Sequence, residues 1–545
     1  RGAITDSIDW DVSGSYGESE QVQTIINYTL QSRFRQGALV NGTLANPVCN
    51  DPSNGCVPIN LFGDAGTISP EAADFLNENS TTIIRTSLAQ ARGIISGDFG
   101  FTMPSASEPI GFALGAEYRN YGAQQASDTL AKTSGELGGA GGAAPDIDGG
   151  YDVYEGYAEI IAPIFDMLTL EGGARYSKYQ VEGGGKNSTF TYKVGGTFEP
   201  LDGVKFRGNY AKAVRSPNIF ELFNPPNTVL TNLGIDPCAG AAPTTNVNLR
   251  NVCIAQGAPV LSIGSITNPT AAQANITTAG NINLDPEKAK TYTFGAVFQP
   301  SFIPRFSVSI DYYHIKVTDV IGAPLPGDLV GACFGAITAA SATDPNCTAI
   351  RRNPLTGGLD GDPSITPGLF APLNNLGTLL TDGVDLIANY NTDMGFANLA
   401  LSFVGNWTNR SKFKATPTSL NRECVGFYSV NCSFTGSIQP EFQFSQRSTL
   451  SFDDIDVSLL WRYIDSVEFE PQQILDDEAA FGASVQDQFR KIPSEHYFDL
   501  SMRFNAGDNL TFTATVQNLL DNQPKVVGNS IGSTTYNSGN TYPST

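Results

Sequence analysis

Apolar and polar residues alternate along this chain with a period of two. In Ile8-Asp9-Trp10-Asp11-Val12-Ser13-Gly14-Ser15-Tyr16 the even positions are apolar or small and the odd ones polar. Leu168-Thr169-Leu170-Glu171-Gly172-Gly173-Ala174-Arg175-Tyr176 repeats the pattern, and Leu510 to Gln517 carries it without a fault. Ile455, Val457, Leu459, Trp461 and Tyr463 form another apolar row, with Asp456, Ser458 and Arg462 between them. This period belongs to strands with two unlike faces. Short connections fall at Phe165-Asp166-Met167, Pro200 to Gly203, Pro300 to Pro304, Thr392 to Ala397, Asp453-Asp454 and Gly507-Asp508-Asn509. Long ones fall near 31–80, 126–150, 218–287, 323–379, 414–437 and 470–495. An antiparallel up-and-down meander of about 15 strands with its loops sorted by length predicts an all-β, transmembrane β-barrel.

Composition agrees. Hydrophobic residues make up 41% and charged ones 16%, with 56 glycines. No stretch approaches the roughly 20 apolar residues of a membrane helix, and a span without helices must be a closed barrel. The competing reading is a soluble sandwich or solenoid, whose strands also alternate but need not segregate loops by length. On polar parity stand Asp9, Asp11, Glu171, Arg175, Lys205, Arg207, Asp311, Asp385, Arg462 and Arg503. They are candidates for facing a wet lumen and meeting a ligand, although a hydrated wall is the default for any one of them. The parity shifts at Tyr312-Tyr313-His314, which predicts a bulge or a strand leaving the membrane at an aromatic girdle.

The eight cysteines form four neighbouring pairs, Cys49/Cys56, Cys238/Cys253, Cys333/Cys347 and Cys424/Cys432, each inside one long connection. Disulfides in an oxidising compartment are favoured over metal binding, since the spacings do not match compact zinc sites and only two histidines are present. The net charge of −22 argues against nucleic acid. No metal or cofactor site, nucleophile elbow or phosphate-binding loop is present, so the chain reads as a non-enzyme. The pair Asp476-Asp477 reads as solvated loop charge.

The segment Asn209-Tyr210-Ala211-Lys212-Ala213-Val214-Arg215-Ser216-Pro217-Asn218-Ile219-Phe220-Glu221-Leu222-Phe223 is the most specific motif. With Ala113 to Arg119, Tyr151 to Glu159, Leu284 to Ala289, Thr381 to Asp385 and Val516 to Asp521, in this order, it resembles the barrel of TonB-dependent outer-membrane receptors. The resemblance spans nearly the whole chain. In the motif Tyr210, Arg215, Pro217, Glu221 and Leu222 match the family's stretch where a strand enters an extracellular loop. Pro217 is expected to end the strand, and Arg215 and Glu221 to order the loop base.

The resemblance implies a barrel of about 22 strands filled by a plug, of which residues 1–545 are expected to be a partial barrel lacking plug and closing strand. It implies active import of a scarce solute such as a siderophore, cobalamin or oligosaccharide. A passive porin-like channel and a structural or adhesive surface protein are the alternatives. The partners implied are outer-membrane lipid and lipopolysaccharide, TonB through a region outside this sequence, a small-molecule substrate and the barrel-assembly machinery. Long loops would be extracellular and short turns periplasmic.

Overall fold

The computed structural model describes residues 1–545 except 44, 65, 140–141, 418, 430–431, 433–436, 472–485, 508, 524, 526–541 and 543–545. Asp476-Asp477, Asp508 and most of the stretch after Asn522 therefore lie outside the described residues. Among the described residues sixteen strands form the wall: β1 (Gly2–Thr5), β2 (Ile8–Thr29), β3 (Asn77–Thr102), β4 (Pro109–Ser127), β5 (Ile147–Phe165), β6 (Leu168–Val181), β7 (Lys186–Leu201) and β8 (Val204–Arg215). They continue as β9 (Glu287–Phe298), β10 (Phe306–Gly322), β11 (Asn374–Asp393), β12 (Asn398–Lys414), β13 (Phe442–Ser451), β14 (Ile455–Ile464), β15 (Glu495–Asn505) and β16 (Thr511–Val516). Each pairs antiparallel with its neighbours in the chain, and Arg422–Glu423 adds a two-residue appendage to β12. Among the described residues β1 and β16 have one neighbour each. No described helix is long and apolar enough to cross a membrane.

The expected short connections sit where the pattern placed them, and Met103 to Glu108 adds another on that side. The length rule has one exception: only Glu182 to Gly185 join β6 to β7 on the long side. The break expected at Tyr312-Tyr313-His314 is not a bulge, because β10 stays in register with both neighbours through these residues. Beyond them His314 and Lys316 occupy the parity of Ile310 and Tyr312, so the strand outruns its apolar stretch. The nearby irregularity lies instead between β11 and β12, where Asp382 opposes Arg410 and Gly383 opposes Thr408, leaving Asn409 extra.

Residues directly opposite in a ladder share a face. Register therefore carries one face around the sheet from Asp9 to Ser96, Ala113, Glu159, Gly173, Lys193, Ala211 and Thr291. This is the polar face. The other carries Val12, Leu114, Tyr176, Phe206, Phe294, Ile310 and Phe512, all substantially exposed. Its loop-side rim bears an aromatic belt, including Tyr210 stacked on Tyr292 at 4.8 Å and Phe444 on Tyr463 at 5.2 Å.

The largest buried core lies in the loops, not the wall. Leu233, Val252, Val330, Ile350, Leu359 and Leu369 pack together from two separate connections, 216–286 and 323–373. Burying each such side chain contributes about 1.5–3 kcal/mol. Gln273–Ala279 pairs antiparallel with Asn227–Asn232 and parallel with Leu369–Pro372, so one small sheet stitches both loops. Disulfides Cys238–Cys253 and Cys333–Cys347 staple this module. Cys49–Cys56 and Cys424–Cys432 close the other two pairs. At the module's centre Arg352 grips Asp236 through Nη1–Oδ2 (2.5 Å) and Nη2–Oδ1 (2.8 Å), both side chains fully buried.

Candidate functional site

The polar face forms a cleft of about 480 Å³ across β4 to β8, toward their loop ends. Its centre is Glu155, buried, which accepts hydrogen bonds from Ser177 Oγ (2.6 Å), Arg175 Nη1 (3.2 Å) and Arg119 Nη2. Arg119 also reaches Glu117 at 3.6 Å and Lys193 reaches Glu159 at 3.7 Å, so the centre is a network of alternating charges. Tyr121 and Tyr151 stack at 4.9 Å, the Arg175 guanidinium lies 4.6 Å from the Tyr157 ring centre, and Tyr179 and Lys193 complete the lining. Aromatic planes beside fixed cations suit a ligand with π faces or anionic groups.

At the loop rim of the cleft Arg215, the last residue of β8, holds two acids. Its Nε and Nη2 reach Glu287 at 2.7 and 2.8 Å, while Nη1 and Nη2 reach Glu221 at 2.9 and 3.0 Å. Glu221 is also the third residue of a capping box: Asn218 Oδ1 accepts its N–H and Glu221 Oε2 accepts that of Asn218, both at 2.7 Å. Pro217 precedes this cap in extended chain, and Leu222 is buried beneath it. Tyr210 stands on the opposite face, in the aromatic belt. The motif thus divides between a strand-to-loop clamp and the apolar surface.

The ten polar-parity residues share one face by register, and besides Arg175 six of them are engaged by neighbours on that face. Arg207 binds Asp311 in a two-pronged pair at 2.7 and 2.6 Å, crossing β9 at Gly295. A β-carbon at Gly295 would lie 1.9 Å from Asp311 Oδ1, so only glycine admits the pair. Arg462 holds Asp499 at 3.0 Å, Arg503 holds Asp456 at 2.7 Å and Lys205 holds Glu199 at 3.2 Å. Asp385 accepts a hydrogen bond from Asn406. Of the ten, Arg175 alone lines the cleft, and Asp9, Asp11 and Glu171 stand apart from it. Sequence reasoning missed Arg119, Glu155 and Tyr179. In Tyr151 to Glu159 aromatic residues occupy both parities, so the alternation that marks a polar face is erased there.

A family model described as "TonB dependent receptor-like, beta-barrel" matches residues 3–519. Among solved structures, the ferric enterobactin receptor PfeA of Pseudomonas aeruginosa in complex with BCV-L6 is 14% identical, with a TM-score of 0.56 over 96% of this chain and 58% of that one. The siderophore receptor PirA of Acinetobacter baumannii is 14% identical, with a TM-score of 0.50 over 82% and 52%. The copper transporter OprC is 13% identical, with a TM-score of 0.51 over 96% and 58%. No curated protein matches significantly. The chain spans little more than half the length of these structural relatives. At such identities the likeness establishes the fold, that of outer-membrane β-barrel receptors. The family model covers nearly all of the sequence, and the chain belongs to the TonB-dependent receptors, as part of their β-barrel.

Proposed function

We propose that this chain is the wall and loop portion of an energised outer-membrane importer for a scarce small solute, such as a siderophore, cobalamin or an oligosaccharide. The observation that carries the reading is the cleft around Glu155, where two arginines, a lysine and several tyrosines face the same side of the wall as the other charges. In this account the polar face lines the lumen, because charges turned toward mid-bilayer would each cost about 2–4 kcal/mol. The long loops are extracellular and capture the solute. A plug outside these residues completes the site and is moved by TonB, and further strands complete the wall beside β1 and β16.

The test is competitive uptake of labelled ferric chelates, cobalamin and oligosaccharides in a deletion strain complemented with wild type or Tyr151→Ala. Saturable uptake of one class, lost in a strain without TonB and weakened by Y151A, supports the proposal. Uptake indifferent to TonB would point to a passive channel. No uptake of any class, with a stable protein complex at the surface, would point to an adhesive role.

A further inference from the structure

We propose that the polar face holds a primary ammonium group of the solute over Gly195, between Glu171 and Asn209, one row nearer the short turns than the cleft. The inference rests on the transport reading and names a chemical feature of what is carried.

Register sets the three residues in line. Glu171 of β6 stands opposite Gly195 of β7, which stands opposite Asn209 of β8. The glycine leaves the middle strand bare, and the two flanking side chains lean over it. The position a β-carbon would take on Gly195 lies 2.9 Å from Glu171 Oε1, 3.1 Å from Asn209 Oδ1 and 3.0 Å from the Gly208 carbonyl oxygen. The three nearest atoms are thus all acceptors. Asn209 Oδ1 is buried without a hydrogen-bond partner, and among the described residues Glu171 forms no ion pair. Buried acceptors are ordinarily satisfied, so a donor belongs here.

The same construction is complete at Gly295 of β9. There the flanking strands bring Arg207 and Asp311 together over the glycine, a cation against an acid. Over Gly195 the acid faces an amide oxygen, so the complement of this pair is a cationic donor. The neighbouring cations are engaged elsewhere: Lys193, two residues along β7, by Glu159 at 3.7 Å, Arg175 by Glu155 at 3.2 Å, and Arg207 by both oxygens of Asp311.

The donor set selects the ligand. One carboxylate with two neutral oxygens carries a single negative charge and under-fills the six to eight oxygens of a calcium shell. Three acceptors and one charge match the three N–H donors and single charge of an ammonium, in charge-assisted hydrogen bonds. The cleft is within reach. Its lining residues Gly173, Lys193 and Ala211 form the adjacent row, and two residues along a strand span about 7 Å. A solute seated in the cleft therefore reaches Gly195 with an amine on an arm of a few bonds.

The test uses the intact receptor, purified from outer membranes into nanodiscs, and one matched pair of probes. These are para-fluorobenzylamine, an ammonium at neutral pH, and its neutral N-acetyl derivative. Fluorine NMR line broadening reads the affinity of each. We expect the amine to bind at least about tenfold more tightly than the acetamide. Glu171→Gln should abolish that preference, and so should Gly195→Ala, whose methyl group fills the space between the two side chains. Heat-modifiable mobility on gels confirms that each variant is folded. An amide turned the other way would donate to Glu171 and close the pair, and Glu171→Gln would then leave the amine's affinity unchanged. That result, or a wild type without preference because a lysine of the receptor itself fills the site, would overturn the proposal. TonB-dependent uptake alongside such a result would leave the transport reading standing, whereas uptake indifferent to TonB would remove that reading whatever the probes show.

Discussion

Replacing Asp236 by Ala should unlock the loop module while leaving the wall intact. Arg352 donates to both oxygens of Asp236, to Gln256 Oε1 at 2.8 Å and to the Gly357 carbonyl at 3.1 Å. Asp236 Oδ1 also accepts the Cys238 amide at 2.9 Å. Both side chains are fully buried, so the substitution leaves a guanidinium without its counter-charge and an amide without its acceptor. Breaking one side of such a pair costs about 3–5 kcal/mol. At about 1.4 kcal/mol per tenfold, this raises the open population of the module by roughly two to three and a half orders of magnitude. Hydrogen exchange with mass spectrometry reads it directly, through the amides of the half-buried helix Val247–Ala255 and the strand Gln273–Ala279. Amides in β3 to β6 should exchange at wild-type rates. The double variant Asp236→Ala/Arg352→Met, which removes both charges, should recover much of the loss. Wild-type exchange in the single variant would refute the claim that this pair locks two loops into one body.

Gly295→Ala should break the Arg207–Asp311 bridge by steric overlap and cost about 1–3 kcal/mol, seen as a lower unfolding midpoint on heat-modifiability gels. Cys333→Ser with Cys347→Ser opens a bridge of sequence separation 14 and should remove about 3 kcal/mol from the loop module alone, measured by the same exchange experiment. Burial raises the Tyr428 phenol to about 12. Because the folded value exceeds the unfolded one of 10, the stabilisation is full below pH 10 and is lost as pH rises toward 12. Absorbance titration near 295 nm should show a late-ionising tyrosine fraction, and Tyr428→Phe should lower its amplitude by one residue.

Strand placement was legible because each wall strand separates two environments, which imprints a period of two on residues such as Leu168 to Tyr176. The polar face followed from the same parity, and register confirms that Asp9 to Arg503 share it. The cleft was hidden for the opposite reason: Tyr151 and Tyr157 turn aromatic rings toward the polar side, so parity carries no signal around Glu155. The loop module was hidden as well, since Asp236 and Arg352 are 116 residues apart and neither local periodicity nor turn chemistry links them. The cysteine pairs gave the only local hint that these loops are ordered. The Asn409 bulge is a cross-strand mismatch and has no local signature.

The most direct test of the central claim, that this wall belongs to a plugged and energised receptor, is the intact mass and peptide map of the protein purified from outer membranes. The 545 residues of the sequence account for 58.0 kDa. The account predicts a substantially heavier polypeptide, with peptides for a plug and for the strands that close the barrel beside β1 and β16. A single species of 58.0 kDa, without a partner chain, would contradict it.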